Sequence, residues 1–111
     1  MAPRDPAQGR VKGEERPWGK LTLPGWQIVR HLERLSKTLT PADDLRLVEL
    51  LTGGHKIDAT AAFLDVEPAV ALDRWKSFLT ADVIGPNGKP TIDGQARLLN
   101  ALRYRKDAND A

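Results

Sequence analysis

The chain has no cysteine, only 5% aromatic residues, two serines and two histidines. Without cysteine, neither a disulfide framework nor a thiolate metal site can form, and nothing requires an oxidising compartment. His31 and His55 have no carboxylate or second histidine at ligand spacing, so no metal is expected. Ser36 and Ser77 lack the flanking glycines of a nucleophile elbow. Gly53-Gly54 lacks both the following Lys-Ser/Thr and the preceding strand of a phosphate-cradling loop. These absences argue against an enzyme and against any cofactor. No apolar run approaches the roughly 18 residues that span a bilayer, and the first residues lack the apolar core of a signal peptide. A cytoplasmic protein that does not contact membrane is expected.

What is present is a chain of 111 residues, 41% hydrophobic and 29% charged, which suits a single globular domain with tails. Its net charge of +2 is unevenly spread. Residues 1–39 carry a balance of +4, residues 40–80 one of −3, and residues 81–111 one of +1. Attraction to phosphates must therefore come mainly from the N-terminal part and the last helix.

Residues 1–16 mix Pro, Gly and charge, with Val11 the only large aliphatic residue after Met1, and are expected to be a disordered tail. Arg4, Arg10, Lys12 and Arg16 would make it a flexible basic arm or simply a solubilising leader. A single helical domain is expected over 17–106, followed by a frayed end at 107–111. Trp18 and Trp26 flank a Pro/Gly-rich connector, where they either cap the core or present a partner surface. From Trp26 to Leu39 the apolar spacing of Ile28, Val29, Leu32, Leu35 and Leu39 predicts an amphipathic helix with Arg30, Arg34 and Lys37 as a basic stripe on its other face.

Thr40-Pro41-Ala42-Asp43 is a helix start, with a threonine cap, proline at the first position and carboxylates against the positive helix end. That helix is expected to run to about Thr52, where Gly53-Gly54 stops it. A second should begin near Asp58, capping Thr60 or Ala61, and end near Leu64. A third follows from Pro68 to Leu79. Their apolar residues, among them Leu47, Val48, Leu51, Ile57, Ala61, Leu64, Ala71, Leu72, Trp75 and Leu79, recur at helical spacing around one core. Trp75 is expected to be buried against Val48 and Leu64. Asp82 to Ile92 sets short β-branched runs around Pro-Asn-Gly-Lys-Pro, consistent with a short hairpin carrying Lys89 at its tip or with an ordered loop. In the last helix, Asp93 is the expected cap, with Ala96, Leu98, Leu99 and Leu102 facing inward. This helix either packs on the others or pairs two copies into a homo-oligomer.

Four features over Thr40 to Leu79 carry a family resemblance: the opening TPADD, the small Ala61, the Leu64-x-Val66 turn and Arg74-Trp75. The segment resembles the helix-turn-helix superfamily and, within it, Myb-like or SANT-like three-helix units. The resemblance implies an all-α bundle of four to five helices with a helix-turn-helix at 41–79 and, if the hairpin forms, a short wing before the last helix. It also implies DNA binding, as in a transcriptional regulator or a phage-type packaging adaptor. The third helix would then enter the major groove. Its reading positions hold Ala69, Val70 and Asp73, and Glu67 stands where a serine or threonine cap is usual. Alanine and valine can touch only a thymine methyl, and Asp73 repels phosphate. The candidate nucleic-acid contacts are therefore Arg10, Lys12, Arg30, Arg34, Lys56, Arg74, Lys76, Ser77 and Lys89. The alternative is a protein-interaction module that keeps the same shape and docks a partner through Trp18, Trp26, Val70 and Leu72.

Overall fold

A computed structural model describes residues 21–110, and over this range the chain is all-α. The helices are α1 (Leu23–Arg34), α2 (Pro41–Thr52), α3 (Ile57–Leu64), α4 (Pro68–Ser77) and α5 (Ile92–Asp110). The basic tail, Arg10, Lys12 and Trp18 lie outside the described residues.

The start of α2 forms as its residues dictate. The Thr40 hydroxyl accepts the Asp43 amide at 3.1 Å, and Pro41 occupies the first turn, where a missing N–H costs nothing. Its end is equally local. Gly54, at φ 100°, lets the His55 amide reach the Leu50 carbonyl at 3.0 Å while its own amide reaches Leu51 at 3.2 Å. The same closure ends α3, but there Asp65 takes the left-handed position at φ 60°, with the Val66 amide on the Ala61 carbonyl at 3.0 Å.

Several boundaries differ from the expectation. Helix α1 stops at Arg34 rather than Leu39, because Leu35 turns extended (ψ 155°) and carries Leu39 into the core, where it is 6% exposed. Helix α3 begins at Ile57, and Asp58 lies inside its first turn without capping it. The Thr60 amide is already held by the Lys56 carbonyl at 3.0 Å. Helix α4 closes at Ser77, two residues before Leu79, as the Phe78 and Leu79 amides make tighter bonds to Trp75 and Lys76. In α5 the cap is Thr91, whose hydroxyl accepts the Gly94 amide at 2.8 Å, and not Asp93. The segment before α5 is a loop with one antiparallel bridge, Ile84 to Pro90, and no strand occurs among the described residues. Arms of two or three residues are too short to sustain a ladder.

Helix α5 packs against α1 and α2, while α2 also meets α3 and α4, which pack on each other. Ala61 and Ala71, both fully buried, keep the contacting faces of α3 and α4 small. Gly94 is buried where a Cβ would run into the Val83 main chain, so only glycine lets α5 seat on the preceding loop. The buried face of α4 is Ala71, Arg74 and Phe78, not Ala71, Trp75 and Leu79. Phe78 is 0% exposed, Trp75 and Leu79 are only half-buried, and Leu72 faces outward. Ala96 is likewise exposed, whereas Leu98, Ala101 and Leu102 fill the core.

Among the described residues two buried hydroxyls, those of Thr60 and Thr80, lack a hydrogen-bond partner, and Thr60 is the deeper side chain at 1% exposed. Replacing it with the similarly shaped valine removes an unsatisfied buried polar group, so Thr60→Val should raise stability by about 1 kcal/mol. Thermal denaturation should show a higher midpoint; a fall would mean that the hydroxyl has a partner in solution.

Candidate functional site

Asp44 lies in the capped first turn of α2 and stands three and four residues before Leu47 and Val48, on the helix face that enters the core. It is 0% exposed, and two arginines meet it. Arg74 of α4 grips it with a two-bond fork, Nε to Oδ1 and Nη2 to Oδ2, both at 2.8 Å. Arg105 of α5 reaches Oδ2 through Nη1 at 2.6 Å. Arg74 also donates Nη1 to the Ser36 carbonyl at 2.7 Å, and its guanidinium lies 5.5 Å from the Phe78 ring centroid. One carboxylate thereby joins α2, α4, α5 and the α1–α2 connection.

This junction removes two of the candidate DNA contacts. Arg74 is 5% exposed and held inside the protein, so it is not a surface cation. Ser77 spends its hydroxyl on the Arg74 carbonyl at 2.6 Å, and its own carbonyl accepts His31 Nε2–H at 2.6 Å. Asp44 and Arg105 are not among the residues that the sequence marks as candidates, although their register places them on the core face. Arg105 stands seven, four and three residues after Leu98, Ala101 and Leu102, as Arg74 stands three after Ala71 and four before Phe78. Each charge falls on an apolar stripe.

The remaining candidates are dispersed. Arg30 and Arg34 lie one turn apart on the exposed face of α1, and neither makes an ion pair or side-chain hydrogen bond among the described residues. With Gln27, His31, Thr80, Ala81 and Asp82 they line an open groove of about 370 Å³. Lys56 is exposed just before α3, Lys76 on the outer side of α4 and Lys89 after the loop tip. Ala69 and Asp73 are exposed, while Val70 is half-buried and shares a groove with Leu35, Ser36, Thr38 and Asp73.

Of the described candidate partner residues, Trp26 lies on α1 and Val70 and Leu72 on α4. Trp26, 39% exposed, stands edge-on to Tyr104 of α5 with ring centroids 4.9 Å apart, whereas Leu72, 38% exposed, is on α4. Phe63 is more exposed than either, at 64%, beneath the Arg46 guanidinium. Helix α5, considered as a dimer surface, turns its buried residues Leu98, Ala101 and Leu102 into the core it forms with α1 and α2.

No helix among the described residues is long and apolar enough to cross a membrane, and no group of three metal-ligating side chains occurs there. Comparison of the chain with family models, curated proteins and solved structures gave no match.

Proposed function

We propose that this chain is a small, non-catalytic DNA-binding protein of the cytoplasm, a transcriptional regulator or a phage-type packaging adaptor, that grips the phosphate backbone more than it reads bases. The observation that carries this reading is the Arg30–Arg34 pair, two unengaged guanidinium groups one helical turn apart beside an open groove. Guanidinium groups in this state suit phosphate oxygens, and each phosphate neutralised releases counterions. In this reading α3, the turn at residues 65–67 and α4 act as the helix-turn-helix. Weak base preference follows, because α4 exposes Ala69 and Asp73 while Arg74 stays inside.

The test is a titration of a random-sequence duplex at two salt concentrations. For a contact pair of this kind, Arg30→Ala/Arg34→Ala should lower the slope of log affinity against log salt by about 2, since each phosphate contact contributes about 0.9. Failure of the wild-type protein to bind at low salt, or an unchanged slope in the double variant, would sink the DNA reading. The second reading, a protein-docking module, draws on exposed Leu72 and Trp26. An apolar docking surface should bind with little dependence on salt.

A further inference from the structure

Two buried arginines share a single carboxylate in the junction, and they do not share it equally. Arg74 takes both oxygens of Asp44, whereas Arg105 has one bond through Nη1. The remaining N–H groups of Arg105, on Nε and Nη2, have no partner among the described residues, yet they are not sealed off as unsatisfied buried atoms. Arg105, 7% exposed, forms part of the wall of a separate open groove of about 270 Å³, together with Lys37, Thr38, Leu39, Thr40, Pro41 and Asn109.

The charges around this groove favour an anion. Lys37 is exposed and makes no ion pair among the described residues, so it adds a second cation to that of Arg105. Asp44 is spent on the two arginines, and Asp43 lies on the first turn of α2 without lining the groove. The end of α2 contributes little: Pro41 has no N–H, and the Asp43 and Asp44 amides are taken by Thr40. The side chains of Lys37 and Arg105 therefore supply the positive charge. Asn109, whose Nδ2 donates to the Arg105 carbonyl, has a second N–H to offer.

We propose that this groove is a binding site for a phosphoryl group, with Arg105 and Lys37 as the cationic ligands and, as further donors, the Asn109 amide and the Thr38 hydroxyl, which lies 2.8 Å from Ser36 Oγ and is a donor to the anion when it accepts from Ser36. The open groove of about 270 Å³ has room for a tetrahedral anion. A guanidinium with donor groups left over from its ion pair, in the wall of a groove, matches phosphate oxygens better than a lone ammonium does. The same chemistry is presented by free phosphate and by a phosphodiester in a nucleic-acid strand. The site does not include Arg30 or Arg34, so it stands apart from the DNA reading.

The experiment is a titration of the full-length protein with inorganic phosphate, followed by NMR at constant ionic strength against a chloride control. Saturable shifts of the Arg105 Nε–H and of the Thr38 and Thr40 amides are expected with phosphate and absent with chloride. Lys37→Gln, a surface change that leaves the fold intact, should weaken the apparent affinity at least several-fold, while Arg30→Ala/Arg34→Ala should leave it unchanged. Equal, non-saturating shifts with both anions, or a Lys37→Gln protein that binds phosphate as the wild type does, would overturn the proposal. A random duplex added to the phosphate-saturated protein separates the sources: displacement at the Arg105 resonance identifies a strand phosphate, and its absence identifies free phosphate or a monoester.

Discussion

Asp44→Ala should destabilise the protein by about 3–5 kcal/mol, the usual cost of removing one partner from a buried ion pair. The loss is large because the two guanidinium groups, 5% and 7% exposed, would stay inside the protein with no carboxylate to offset them. The two arginines should not be equivalent. Arg74 makes both bonds of the fork and the bond to Ser36, so Arg74→Ala should cost more than Arg105→Ala, which breaks one bond. Replacing all three by apolar residues of similar volume should recover much of the stability, since desolvation of the charges disappears with them. Urea denaturation of the variants provides the comparison. An Asp44→Ala protein within about 1 kcal/mol of wild type would contradict the burial of the junction, because a surface ion pair costs no more than that.

The second large effect is expected at Phe78. Truncation to alanine removes a ring that is 0% exposed and should cost about 3–5 kcal/mol, within the range for buried aromatic residues. Trp75→Ala should cost less, because that side chain is only half-buried and part of its area already meets water. Phe78 also lies under the Arg74 guanidinium, 5.5 Å from ring centroid to Cζ, so the two positions should be coupled. A double-mutant cycle of Phe78→Leu with Arg74→Met should return an interaction energy of about 0.5 kcal/mol or more. If Trp75→Ala proves the more damaging of the two truncations, α4 presents a different face to the core.

Local chemistry explains which features were legible in the chain. The Thr40-Pro41 start and the Gly53-Gly54 stop of α2 depend on groups within a few residues of each other, and both form as expected. Leu47, Val48 and Ala61 are inside because helical spacing aligns them whatever lies opposite. The wider apolar set was right in kind but wrong in rotation on α4. Helical spacing predicts the stripe Ala71, Trp75 and Leu79 with Leu72, whereas the buried one is Ala71, Arg74 and Phe78, displaced by about one residue after the shared Ala71.

That rotation and the buried junction both depend on contacts between residues distant in the chain. Residue type alone places arginine and aspartate in water. Arg74 is 30 residues from Asp44 in the chain, and Arg105 is 61 from it. Only the packing of α4 and α5 on α2 brings them together and makes burial tolerable for all three. The same separation hides the groove of Lys37 and Arg105, whose walls come from the α1–α2 connection and the end of α5. What the residues settle by themselves is the all-α class, both ends of α2, the Leu64 end of α3, the Pro68 start of α4 and the exposed stripe of Arg30 and Arg34, because those follow from neighbours along the chain. Which charges are buried and which face water was decided by the tertiary structure, since the energy of a charge depends on partners that the chain brings near only when folded.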